Sequence, residues 1–201
     1  MKFIPQPHCA RLIELAEATY ERKCLNNYLL DRLESIPFDE IRLPSPLARY
    51  ISKGLACTTG SALDEDPPTL DECLAAFLLP NCSNLTAGAR AWSKHAHRSG
   101  GSSGGVTSDD SWWGKPKGPV VIINEKARVL FWRIWEEATW RNLHWLPHQV
   151  LVYEIRVPEG YGMRWSQDRS VVEGDAAPRL WLFRGYVEPM MENGHEIGWR
   201  H

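Results

Sequence analysis

Apolar residues recur at two different periods along this chain, and the change of period separates helix-forming from sheet-forming sequence. Between about 8 and 33, Leu12, Leu15, Ala16, Thr19 and Tyr20 trace one face at 100° per residue, which predicts a first helix. Shorter helices are predicted at about 45–54 and 69–79. Pro44, Pro46, Pro67, Pro68 and Pro80 punctuate them, with Gly54 and Gly60 as stops. Another helix is predicted at about 85–98. The strongest helical pattern runs from Asn124, its expected cap, to Asn142. There Ala127, Leu130, Phe131, Ile134 and Ala138 share a narrow face, while Val129, Trp132 and Trp140 lie opposite, beside Glu136. Apolar residues on both sides predict a helix sandwiched between two layers.

From His148 the period becomes two. Leu151, Tyr153, Ile155 and Val157 alternate with Val150, Val152, Glu154 and Arg156, which is a strand signature. Pro158-Glu159-Gly160 is a turn, and Tyr161 to Trp165 resumes the alternation. A three-residue loop sets Tyr153 opposite Trp165, Ile155 opposite Met163 and Glu154 opposite Arg164, so apolar meets apolar and acid meets base. Leu180 to Val187 is expected to add a third antiparallel strand after a polar loop, followed by a turn at Asn193-Gly194.

The pattern predicts an α+β fold: a helical N-terminal half packed with a long central helix against a small C-terminal antiparallel sheet of about three strands. One domain, 1–201, is expected, with its helical part at about 1–98 and a flexible Gly/Ser loop at about 99–111. The helix and sheet occupy about 119–201. At 201 residues the chain can bury a core without metal or disulfide staples.

Composition adds an asymmetry. All ten tryptophans lie from Trp92 onward, whereas Cys9, Cys24, Cys57, Cys73 and Cys82 lie before it. The cysteines are odd in number and form no Cys-x-x-Cys pair, so they are expected to be reduced thiols filling core gaps. Asn81-Cys82-Ser83 and Asn84-Leu85-Thr86 match the glycosylation pattern but are expected to cap the following helix. The start Met1 to Pro7 lacks the apolar run of a signal peptide and nothing elsewhere suits a membrane span. A cytosolic or nuclear location and no membrane partner are therefore expected. A net charge of -2 predicts no strong global attraction to nucleic acid.

Local chemistry departs from that average. In the segment Arg90 to Arg98 a helical wheel gathers Arg90, Lys94, His97 and Arg98 on one side and Ala89, Trp92 and Ala96 on the other. Such cations repel one another unless an anion or acids from the N-terminal half compensate them, and Arg and His donors suit phosphate. On the predicted sheet, Glu154, Arg156 and Arg164 share one face. Arg184 lies with Leu182, Tyr186 and Glu188 on the next strand, which suggests either an arginine clamp or a cross-strand salt-bridge ladder. Histidines come as His95 with His97, His144 with His148, and His195 with His201. No metal motif is complete, because Pro147 interrupts the second pair and Trp199 stands where a zincin histidine would. No nucleophile elbow, Walker loop or dinucleotide fingerprint occurs. Tryptophan density is explained mainly by a core, with Trp112 and Trp113 open as a stacking platform because they sit in an irregular segment.

The expected function is therefore a binding protein or small enzyme acting on a phosphate-bearing ligand, a nucleotide or short nucleic acid. Arg90, Lys94, His97, Arg98, Arg164, Arg184, Trp112 and Trp113 are its candidate contacts, and His95 and His97 its candidate titrating groups. A tryptophan-rich module for a protein partner is the alternative, and a metal-dependent enzyme built on the histidine pairs is the second. The sequence names no cofactor.

Overall fold

The structure, a computed structural model, describes residues 3–32, 43, 45–99, 112–170 and 179–190. Its elements run α1 (Ala16–Arg32), α2 (Pro46–Ser52), α3 (Leu70–Leu78), α4 (Ala87–Ser99) and α5 (Val120–Glu137). They are followed by β1 (Trp140–Leu146), β2 (Val150–Arg156), β3 (Gly162–Asp168) and β4 (Leu182–Val187). The α+β class is as expected, but the antiparallel sheet has four strands in the order β1-β2-β3-β4. The added strand is β1, whose first residues, Trp140 to Asn142, the sequence pattern assigned to the end of the long helix.

Alternation fixes the sheet. Tyr153 pairs with Trp165, Ile155 with Met163 and Glu154 with Arg164, the register expected from the sequence. Val157 N–H bonds the Tyr161 carbonyl at 2.9 Å, so the loop is the three residues 158–160. Gly160 takes φ 102 there, a conformation glycine adopts without strain. One irregularity falls between β3 and β4. Arg164 pairs with Gly185 but Trp165 with Phe183, so Arg184 is a bulge residue. The bulge turns Tyr186 onto the core side opposite Met163, away from Leu182 with which simple alternation grouped it.

The core lies between this sheet face and α3, α4 and α5. Phe77 of α3 meets Phe131 and Phe183, each at 4.9 Å between ring centroids, and the buried Trp165 donates its indole N–H to the Cys73 carbonyl at 3.0 Å. Thr69 and Glu72 form a capping box that starts α3. Helix α5 begins at Val120, after Pro119, and not at Asn124. The Asn124 side chain instead accepts the Thr86 N–H at 3.1 Å and donates to the Asn84 carbonyl at 2.8 Å, tying α5 to the start of α4. Ala127, Leu130, Phe131 and Ile134 are buried as expected, but Val129 is 62% exposed, so α5 is covered on one side and not sandwiched. Trp140, placed opposite them by the sequence, is a buried β1 residue.

The other half flanks the β1 edge. Ala56 and Ala62 donate to the Arg141 and Leu143 carbonyls at 2.7 and 2.9 Å. Tyr50 of α2 accepts the Leu143 N–H at 3.0 Å and reaches Asn142 Oδ1 at 2.9 Å. Helix α1 starts at Ala16, not near residue 8, and buries Ala18, Arg22, Leu25 and Leu29. Tyr20, assigned to its inner face, is 70% exposed. The sequence pattern misled because the buried stripe contains Arg22, whose charge is matched inside by Glu14. Residues before α1 form a strap: His8 and Ala10 donate to the Thr139 and Pro158 carbonyls at 3.2 and 2.8 Å, across the hairpin end of the sheet.

All five cysteines are free thiols; Cys57 and Cys73 fill the core, whereas Cys24 and Cys82 are exposed. The helix cap expected of Asn81 or Asn84 is supplied by Thr86, whose hydroxyl accepts the Ala89 N–H at 3.2 Å; Asn81 closes the preceding turn. No helix among the described residues is long and apolar enough to cross a membrane. The Gly/Ser tract and the Asn193-Gly194 turn lie outside the described residues.

Candidate functional site

Helix α4 presents Ala89 and Trp92 to the core, which fixes its rotation and leaves Arg90 and Lys94 exposed, as the helical wheel requires. His95, the next residue, lies between these faces and is half-buried. Its Nε2 is 2.6 Å from Glu188 Oε1, just beyond the end of β4. The Trp113 indole N–H donates to the same oxygen at 2.9 Å. Three distant segments thus converge on one carboxylate oxygen.

The surroundings hold that arrangement rigid. Trp113 is 4% exposed, stands edge-on to His95 at 4.9 Å, and its carbonyl accepts the Trp92 indole N–H at 3.0 Å. Tyr161 meets Trp113 edge-on at 5.3 Å and stacks on Trp112 at 4.4 Å, and the Arg133 guanidinium lies 4.2 Å over the Trp112 ring. Burial, reinforced by the Glu188 and Glu159 charges, pushes the Tyr161 hydroxyl above its ordinary pKa. Tyr186 packs against Trp113 at 5.0 Å, and its buried hydroxyl meets no hydrogen-bond partner among the described residues. Desolvation drives that hydroxyl far up, so it stays protonated.

On the opposite sheet face, the Glu154 carboxylate receives Arg156 Nε at 2.6 Å on one oxygen and Arg164 Nε at 2.7 Å on the other. Burial alone would raise the Glu154 carboxyl, but the two guanidinium charges and their hydrogen bonds outweigh it and hold the pKa down. This is the cross-strand ladder, so the Arg164 guanidinium is committed to a buried acid on the face away from α4. Arg156 also links the two centres, because its Nη1 bonds the main-chain carbonyls of Gly160 at 2.6 Å and Glu188 at 2.8 Å. It braces the backbone that carries the His95 partner.

Of the sequence-derived candidates, the structure gathers His95, Trp112 and Trp113 in one place and sets Arg90 and Lys94 on the adjoining exposed side of α4. Arg184 is exposed on β4. The side chains of His97 and Arg98 lie outside the described residues, as do His195 and His201. Arg90 and Lys94 form no ion pair with acids of the N-terminal half among the described residues. Those acids engage Arg22, Lys53 and Arg169 instead. Glu188 and Tyr161 were missed as site residues, and Arg156, weighed only for an arginine clamp, was not foreseen as a brace for the Glu188 backbone. Glu188 carries the visible signal, an acid directly after a predicted strand.

Other readings are narrowed by the same geometry. His144 belongs to β1 and His148 to a 3-10 turn at φ 63, so they do not share a helix face. Among the described residues no three His, Cys, Asp or Glu side chains gather as a metal site. Trp92, Trp113, Trp140, Trp165 and Trp181 are buried, which accounts for much of the aromatic content as core.

Residues 80–174, just under half of the chain, match the family model of the CdiA C-terminal tRNase toxin domain. That segment contains α4, Trp112, Trp113, α5 and β1 to β3, hence His95 but not Glu188. No curated protein and no solved structure matches the chain.

Proposed function

We propose that this chain is a ribonuclease acting on tRNA, with His95 as its proton-transferring group. The observation that carries the reading is the His95–Glu188 pair, steadied by Trp113, in which His95 and Trp113 lie in a segment similar to a tRNase toxin domain and Glu188 lies beyond it. An imidazole backed by a carboxylate is held in one orientation, which suits it to proton transfer. In RNA the adjacent 2′-hydroxyl supplies the nucleophile. His95 takes its proton as the 2′-oxygen bonds phosphorus and the 5′ P–O bond breaks, and the departing 5′-oxygen takes up a proton from solvent water. The products are a 2′,3′-cyclic phosphate and a free 5′-hydroxyl. Glu188 and Trp113 act through His95 as positioning residues.

The test is cleavage of end-labelled tRNA on denaturing gels. Wild type should cut tRNA and leave DNA of the same sequence intact, because DNA has no 2′-hydroxyl. His95→Ala should lose about 100-fold or more of the rate, the usual contribution of a general acid or base. Undiminished cleavage by a folded His95→Ala protein would remove His95 from the chemistry, and equal cutting of DNA would exclude the 2′-hydroxyl mechanism.

A further inference from the structure

We infer that the exposed cationic edge made by α4 and β4 tracks the RNA backbone, with Arg90, Lys94 and Arg184 as its phosphate contacts. The inference rests on the ribonuclease reading and adds the surface that holds the substrate. Arg90 and Lys94 stand one turn apart, and burial of Ala89 and Trp92 turns them outward. Helix α4 lies along β4: a Cβ placed on Gly185 would come within 3.9 Å of the Ala91 Cβ. The bulge residue Arg184 precedes this contact point on a strand that ends the sheet.

Charge satisfaction sets these three cations apart from those already paired with an acid. Arg156 and Arg164 share Glu154, Arg169 has Glu65 and Lys53 has Asp66. Arg90, Lys94 and Arg184 are exposed and enter no ion pair among the described residues. Adjacent unneutralised cations repel, and a polyanion relieves that repulsion while releasing its own counterions. The edge also leads to the chemistry, since His95 follows Lys94 on α4 and Glu188 lies four residues beyond Arg184. A strand bound along α4 and β4 therefore passes the His95–Glu188 pair.

The experiment measures binding of fluorescent tRNA to the full chain carrying His95→Ala, which keeps the RNA intact, across a salt titration. Arg90→Gln, Lys94→Gln and Arg184→Gln are added singly and together. Each should lower the slope of log affinity against log salt by about 0.7 to 0.9, the effect of one lost phosphate contact, and weaken different RNA sequences alike. Lys23→Gln and Arg49→Gln, exposed cations of α1 and α2 on the β1 side, should leave the slope unchanged. An unchanged slope in the triple variant, or equal losses from the α1 and α2 controls, overturns the inference. Wild-type cleavage is assayed in parallel. Normal cleavage with an unaltered triple-variant slope removes the cationic edge and keeps the ribonuclease reading. Salt-dependent binding through the edge without cleavage does the reverse.

Discussion

Two guanidinium groups close on Glu154, one on each oxygen, and this decides how the residue should respond to mutation and acid. Glu154→Gln leaves Arg156 and Arg164 without their counter-charge at positions that are 1% exposed and half-buried, and should cost about 3–5 kcal/mol in urea unfolding. The folded carboxyl is held below the roughly 4.3 of an unfolded glutamate. Its stabilisation is therefore complete above that pH and is lost as pH falls through the folded value. Denaturation midpoints should drop in this acid window for wild type, and that part of the drop should be missing from Glu154→Gln. Tyr186 presents the contrary case. Its hydroxyl is buried without a partner, so Tyr186→Phe should leave thermal stability unchanged or raise it by about 1 kcal/mol. A clear loss would show that the hydroxyl is bonded in solution.

Helix α4 is set by what a single glycine permits. A Cβ on Gly88 would lie 2.0 Å from the Phe77 ring, so α4 approaches α3 closely only because that atom is missing. Gly88→Ala should gain roughly 1 kcal/mol of helix propensity and lose more to overpacking. The expected result is a net loss of at least about 1 kcal/mol in chemical denaturation. A gain would mean that α3 and α4 separate easily. The elements differ in how openly the sequence declares them. The β2–β3 hairpin was legible because alternation and the Glu154–Arg164 charge pair demand the same register. Strand β1 was not: Trp140-Arg141-Asn142-Leu143 continues the helical spacing of α5, and its strand conformation follows from pairing with β2 and with residues 56–62. The start of α5 was hidden because Val120 to Ile123 is a β-branched run, which propensity disfavours in a helix. Ile123 packs against the core all the same. Tyr186 was set on the wrong face because a bulge breaks the two-residue period at Arg184.

In the whole molecule the candidate site is a product of long-range assembly, which explains what sequence reasoning reached. It found His95, Trp112 and Trp113, which stand out by residue type within one stretch. It left out Glu188 because nothing in local sequence shows that β4 docks beside α4. His95 and Glu188 are separated by 93 positions and meet only when the last strand of the sheet is in place. Arg156 then ties the Glu188 backbone to the hairpin. This separation in sequence also sets when the pair can form. On a ribosome, α4 and its imidazole emerge well before β4, so an incomplete nascent chain lacks the carboxylate that orients the imidazole. The His95–Glu188 pair therefore forms only once the segment carrying residue 188 has been made, released and docked beside α4.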